Sequence, residues 1–250
     1  MQIISNVYED FVCRDLERYV KWHRRAIDYS PHQYEVCAEL ISEVVSQRDS
    51  KKKILNVCAG NGSLVSYLNQ RFPEFEFVGT DTLLALIEDN SAAQVQSSNV
   101  KLIHAPIESL GSQSSQYDIC VHWMRLLHFA DWQGHISGMI KSTKPGGHIL
   151  VSSLFNDHDA DLLATVLDYN IPTCREGYCL QYNTFSCAQV EKFCYANGAT
   201  KVKFYPYEIP FDIPRQESGV GSYTVKIADG KRETISGGLR MQWQILHIQL

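Results

Sequence analysis

The first stretch of this chain that could do chemistry is Lys53-Ile-Leu-Asn-Val-Cys-Ala-Gly-Asn-Gly-Ser63. Ile54, Leu55 and Val57 make an apolar run of strand length, Gly60 and Gly62 supply a tight turn, and a helix opens at Ser63 with Leu64, Val65 and Leu68 on its apolar side. A strand feeding a glycine turn and a helix N-terminus is a ligand-binding corner. The missing side chains let a ligand approach the backbone, and the N–H groups of the first helical turn point at it. Asp81 closes the next apolar run, Phe75-Glu-Phe-Val-Gly-Thr-Asp81, nineteen residues after Gly62. An acid at that distance can hydrogen-bond the hydroxyls of a ribose. A nicotinamide site would want Gly-x-Gly-x-x-Gly, which Ala59-Gly-Asn-Gly-Ser-Leu64 lacks. The eight cysteines (Cys13, Cys37, Cys58, Cys120, Cys174, Cys179, Cys187, Cys194) include no Cys-x-x-Cys. The four from Cys174 onward have the wrong spacing for a zinc knuckle, so reduced thiols and no metal are expected.

The elements that must position these residues alternate in period. Residues 6–29 read as a helix capped by Asn6, with Tyr8, Phe11, Val12, Leu16, Tyr19 and Val20 on one face and Trp22 and Tyr29 beyond. It either packs on the core or forms a lid. Ser30-Pro-His-Gln33 starts a second helix running to about Gln47. Strands follow at Phe75–Asp81, Val100–His104, Tyr117–His122 and His148–Ser153. Helices are expected at Thr82–Asn90 and from the Asp131 cap to about Ser142, with Lys144-Pro-Gly-Gly147 as a turn. Strands alternating with helices make a parallel sheet, and apolar runs in nearly every strand mean both faces are covered.

Beyond residue 155, Asn156 or Asp157 is expected to cap a helix carrying Leu162, Leu163, Val166 and Leu167, followed by a long aromatic loop from Tyr169 to Phe185. Ser186-Cys-Ala-Gln189 is a capping box whose helix ends at Gly198. Lys201–Tyr205 and Gly238–Ile248 alternate as strands. Between them Tyr223–Ile227 and Arg232–Ile235 flank Asp229-Gly230, a hairpin signal.

Bulk properties narrow the class. A chain of 250 residues with 44% hydrophobic and 20% charged residues suits one globular domain. A net charge of −5 gives no basic field for nucleic acid or an anionic membrane. There is no long apolar run, and Met1-Gln-Ile-Ile-Ser5 is too short and uncharged for a signal peptide, so a cytoplasmic protein is expected.

The ordered set of motifs resembles the class I S-adenosylmethionine-dependent methyltransferases over roughly residues 50–155. Its pieces are the glycine corner, Asp81, Tyr117-Asp-Ile-Cys-Val-His122, Leu126-Leu-His128 and Lys144-Pro-Gly-Gly-His-Ile-Leu150. The chain departs from that family at Asn56, where an acid is usual, at Cys58, where glycine is usual, and at Pro106, where an Asp often binds the adenine amino group. The resemblance implies a Rossmann-like seven-stranded α/β sheet, mostly parallel with an antiparallel edge hairpin, helices on both faces and an N-terminal helical lid. It implies one domain over 1–250, with a lid (1–49), a cofactor core (50–155), a cap (156–185) and a C-terminal part (186–250) with an inserted hairpin at about 222–236.

It further implies S-adenosylmethionine as cofactor, held by Asn56, Cys58, Gly60, Gly62, Asp81, Thr82, Ile107, Glu108, His122 and Trp123, with S-adenosylhomocysteine as product. Methyl transfer to oxygen or nitrogen of a small metabolite is the expected activity of a monomer or homodimer. A proton-bearing acceptor calls for a base, for which His122, His128 and His158 are candidates. Arg125 and Arg175 can bind an anionic substrate group. Tyr8, Tyr19, Tyr29, Tyr178 and Tyr182 suit an apolar substrate pocket. Two other readings stay open: a protein or RNA methylase, and a methyltransferase-like fold that binds the cofactor without methyl transfer or catalyses a rearrangement.

Overall fold

The computed structural model of the protein describes residues 12–17, 19–20, 32–45, 51–89, 97–110, 115–170, 180–215, 217 and 221–250. In chain order come α1 (His32–Val44), β1 (Lys53–Val57), α2 (Ser63–Arg71), β2 (Glu76–Asp81) and the single turn α3 (Leu84–Ile87). Next are β3 (Val100–His104), α4 (Ile107–Leu110), β4 (Tyr117–Trp123), α5 (Trp132–Ser142) and β5 (Thr143–Asn156). The short strands β6 (Thr165–Val166), β7 (Leu180–Gln181) and β8 (Phe185–Ser186) precede α6 (Cys187–Ala196). The chain ends with β9 (Lys201–Pro206), β10 (Ser222–Lys226), β11 (Arg232–Ser236), β12 (Leu239–Met241) and β13 (Trp243–Gln249).

The main sheet runs β3-β2-β1-β4-β5-β13-β9, with β8 paired to the end of β5 as an eighth strand. The first five strands are parallel. β13 runs antiparallel to both β5 and β9. This is the expected mostly parallel Rossmann-like sheet with an antiparallel edge. Helices cover both faces because side chains alternate along each strand. Ile54, Ile119, Val121 and Leu150 pack with Cys37 and Ile41 of α1 and Val65 and Leu68 of α2. Leu55, Val57, Cys120 and Val151 pack with Ile136 and Met139 of α5 and Val190 of α6. Because β2 lies on one side of β1 and β4 on the other, the strand order reverses at the carboxyl ends of β1 and β4. Open α/β sheets bind ligands in that crevice.

Local chemistry fixes the ends of these elements. The Asp131 carboxylate accepts the Gly134 N–H at 2.9 Å, and Ser186 Oγ accepts the Gln189 N–H at 3.3 Å, capping α5 and α6. Asp118, the second residue of β4, ties three strands together: its carboxylate accepts the Lys53 N–H at 2.8 Å and the Lys144 ammonium at 2.9 Å. Gly138 lets α5 lie against α4, since a Cβ there would sit 2.6 Å from Ile107 Cγ1.

Four sequence expectations are corrected. The Asn156–Leu167 segment is not a helix. Leu162 bridges to Thr184 and β6 pairs with β7. Leu162, Leu163 and Leu167 are exposed, so the helical spacing had no surface to bury itself against. The Thr82–Asn90 helix shrinks to α3, because Asp81 accepts the Leu83 N–H and holds the chain extended there. Lys144–Gly147 lies inside β5 as an irregularity between the Tyr117–Thr143 and Ile119–His148 pairs. Gly238–Ile248 is two strands: Met241 pairs with Thr234 of β11, whereas Trp243 pairs with Leu154 of β5. Period-2 alternation continues through such a change of partner and cannot reveal it. Among the described residues no helix is long and apolar enough to cross a membrane.

Candidate active site

The glycine corner is built as a left-handed turn. Cys58, Gly60 and Gly62 have φ of 55°, 59° and 84°. The Gly60 N–H donates to Asp81 Oδ2 at 2.8 Å, and the Leu83 N–H to Oδ1 at 2.9 Å. One buried carboxylate thus clamps the turn after β1 to the turn after β2, with charge-assisted bonds that stiffen both. Cys58 occupies a conformation that glycine adopts freely and that costs another residue about 1–3 kcal/mol.

Above this corner lies a cavity of about 430 Å³ lined by Val57, Cys58, Thr80, Asp81, Thr82, His104, Ala105, Pro106, Ile107, Phe129 and His135. Its volume is that of a small-molecule site. The lining offers the Asp81 carboxylate together with the apolar Pro106 and Ile107. His104 Nε2–H donates to the Thr82 carbonyl at 2.9 Å and joins the ends of β2 and β3 at the rim.

Of the residues expected to hold a cofactor, Cys58, Asp81, Thr82 and Ile107 line this cavity. Gly60 and Gly62 form the turn behind it. Glu108 lies in α4, and its side chain falls outside the described part. Asn56 is buried within β1. His122 and Trp123 do not line the cavity. As neighbours on β4 they project to opposite faces. Trp123 packs on the α1/α2 side, and its Nε1 finds no hydrogen-bond partner among the described residues. His122 is fully buried under α5, with Nε2 3.0 Å from His135 Nδ1. Burial, followed by His135, Arg125 and His128, holds its imidazole neutral by driving its pKa well below the usual value.

The other candidates surround the turn that follows β4. The His128 Nδ1–H donates to the Gln181 carbonyl at 2.8 Å, which fixes the tautomer because a carbonyl only accepts. Burial, with the Arg125 charge, pushes His128 down to about 4, so it is a neutral imidazole at physiological pH. The Arg125 guanidinium lies 6.0 Å from the centre of the Tyr19 ring. Tyr19 packs beside Leu83, Leu86 and Phe129, so the described part of the first helix reaches the cavity wall. Burial raises its phenol to about 12, against the opposing pull of Arg125. Tyr182 stands 5.8 Å from His128 in a separate cluster with Leu127, Leu154 and Met241. His158 is exposed on the Asn156 turn. Tyr8, Tyr29, Tyr178 and Arg175 lie outside the described residues.

Sequence reasoning passed over His104, Phe129 and His135. His135 carried a readable signal, since it shares the core-facing stripe of α5 with Trp132, Ile136 and Met139, a polar residue where an apolar one would pack.

With the geometry in place, the likeness to known proteins falls into line. The chain is 24% identical over 135 residues to a demethylmenaquinone methyltransferase of Thermus thermophilus, and spans about half (53%) of that protein's length. Its fold matches the Burkholderia thailandensis 1,6-didemethyltoxoflavin-N1-methyltransferase, solved with 1,6-didemethyltoxoflavin and S-adenosylhomocysteine. The TM-score is 0.58 at 14% identity, covering 96% of this chain and 85% of that one. It also matches the YcgJ protein of Bacillus subtilis with a TM-score of 0.52 at 14% identity, covering 87% of this chain and 97% of that one. At these identities the solved structures speak for the fold. The family model described as a methyltransferase domain matches residues 29–197, most of the chain and all of the corner, cavity and β4 turn, and the protein belongs to that family.

Proposed function

We propose that this protein transfers a methyl group from S-adenosylmethionine to oxygen or nitrogen of a small metabolite. The observation that carries the reading is Asp81. Its carboxylate lines the cavity at the switch point of the sheet while its two oxygens brace the turns on either side. Each carboxylate oxygen can accept more than one hydrogen bond, which suits a group that both braces the turns and takes a ribose diol. Thr82 sits beside it, and Pro106 and Ile107 offer an apolar wall for an adenine. Pro106 cannot bond the adenine amino group, so that contact falls to the main chain or to Glu108. When bound, the cofactor supplies a methyl group already activated by its sulfonium, so the protein's part is to hold the partners in line.

Arg125 and Tyr19 stand where they can hold an anionic or aromatic acceptor, and Tyr182 and His128 border the same turn. With its pKa pushed to about 4, His128 is better suited to orient the acceptor as a neutral imidazole than to take its proton. The small-molecule reading draws support from the bound compound in the Burkholderia relative and from the net charge of −5, which favours no polyanion. The aromatic N-terminal helix acts as the lid, residues 156–185 as the cap, and the protein works in the cytoplasm as a monomer or homodimer. Calorimetric titration with S-adenosylmethionine and S-adenosylhomocysteine tests the assignment. Micromolar binding of both is expected, and binding of neither would overturn it.

A further inference from the structure

Beneath the cavity, Cys58, His122 and His135 each bring a donor atom within 4.8 Å of the others. We propose that these three residues form a binding site for a zinc-class divalent cation at the floor of the cavity, where Cys58 borders the cofactor site as well.

The donor set selects the ion. One thiolate and two imidazoles suit borderline and soft cations, whereas magnesium and calcium want oxygen. The placement follows from the backbone. Val57 pairs with His122 across β1 and β4. Cys58 follows Val57 at once, and its positive φ turns the chain out of the strand at that point. His135 descends from the core-facing stripe of α5 onto His122. The three ligands therefore come from three elements whose packing is fixed by the core.

Tetrahedral bonds of about 2.0–2.1 Å to nitrogen and about 2.3 Å to sulfur put donor atoms roughly 3.3–3.6 Å apart. His122 Nε2 and His135 Nδ1 already stand 3.0 Å apart, bridged by one proton. They need to open by a few tenths of an ångström and swing their lone pairs off the line between them, and Cys58 Sγ, within 4.8 Å of both, has to draw in. His122 Nδ1, across the ring from Nε2 and fully buried with no hydrogen-bond partner among the described residues, is the nitrogen that would carry the ring proton once Nε2 binds the cation. On metal binding the bridging proton moves to the far nitrogen of one ring, both imidazoles present lone pairs, and the thiol proton leaves to solvent. Cys58 and His135 also line the cavity, so the fourth position opens onto it. Three protein ligands and one open position is the pattern of reactive rather than purely structural zinc sites.

Cobalt(II) is the probe. The full chain, stripped with chelator and titrated with Co²⁺, should take up one equivalent. It should show a thiolate-to-cobalt charge-transfer band with the visible bands of tetrahedral cobalt, displaced by Zn²⁺. Cys58→Ser should abolish the charge-transfer band and His135→Gln should weaken binding at least tenfold, with native circular dichroism in both. His247→Gln, which alters a histidine pair elsewhere, should leave the titration unchanged. A wild-type protein without the thiolate band, or a band that survives in Cys58→Ser, overturns the site. The readout is absorption by the metal alone, so its failure leaves the cofactor assignment standing.

Discussion

The pair His122–His135 and the pair His148–His247 share almost the same internal geometry. Nitrogens approach to 3.0 Å and 2.9 Å, ring centroids stand 5.1 Å apart in both, and the planes are inclined by 48° and 42°. Their surroundings differ. The first pair is buried under α5, beside a thiol and against the cavity. The second joins β5 to β13 near the edge of the sheet, half-exposed, with Lys52, Lys201 and Lys203 nearby. A histidine pair next to a thiol can exchange its shared proton for a cation. The same pair among ammonium groups repels cations and protons alike. Geometry made the pairs, and the neighbours decide what they do.

The largest effect that separates the two regions is on ligand binding. Asp81→Ala removes the carboxylate that braces the corner by the first pair, and should weaken S-adenosylhomocysteine about 100-fold, as expected for losing charged hydrogen bonds worth about 1.5–3 kcal/mol each. His247→Gln should bind as the wild type does. Calorimetry that finds Asp81→Ala unimpaired would remove Asp81 from the site.

Next in size is the response to acid. Burial, then His148 and the two lysines, push His247 from 6.5 down to about 4. As pH falls below 6.5 the unfolded chain takes up a proton on His247, while the folded chain does so only near 4. Stability is therefore lost across that window. Urea midpoints at pH 7 and pH 5 should fall less for His247→Gln than for the wild type, and equal losses would show that this pair carries none of the acid sensitivity. His128, also pushed to about 4, adds a share that the variant retains.

The smallest effect sharpens the account of the corner. Cys58→Gly places a freely left-handed residue at φ 55° and should raise stability by about 1 kcal/mol in the absence of metal. A lower melting temperature for the variant would mean that the cysteine is not strained there.

Much of the fold was legible because its signals are local. The caps at Asp131 and Ser186 and the buried runs of β1, β2 and β4 depend on neighbours a few residues away. The helix misread at Asn156–Leu167 shows the limit. Its spacing was helical, yet bridging to Thr184 and pairing of β6 with β7 placed those leucines in solvent. Asp81 could be found from its distance to Gly62. His135 could not be joined to Cys58 by any spacing, since seventy-seven residues and three strands separate them.

By itself the sequence determined the alternation of strands and helices, the glycine corner and the acid that serves it, because turn chemistry and periodicity are written within single elements. Tertiary structure alone decided that His122 faces α5 while Trp123 faces the opposite layer. It decided that the final alternating run serves two sheets, and that a cysteine and two histidines meet beneath the cavity. Those outcomes depend on register and on which faces pack together, and both are set by the burial of the whole core rather than by any local stretch.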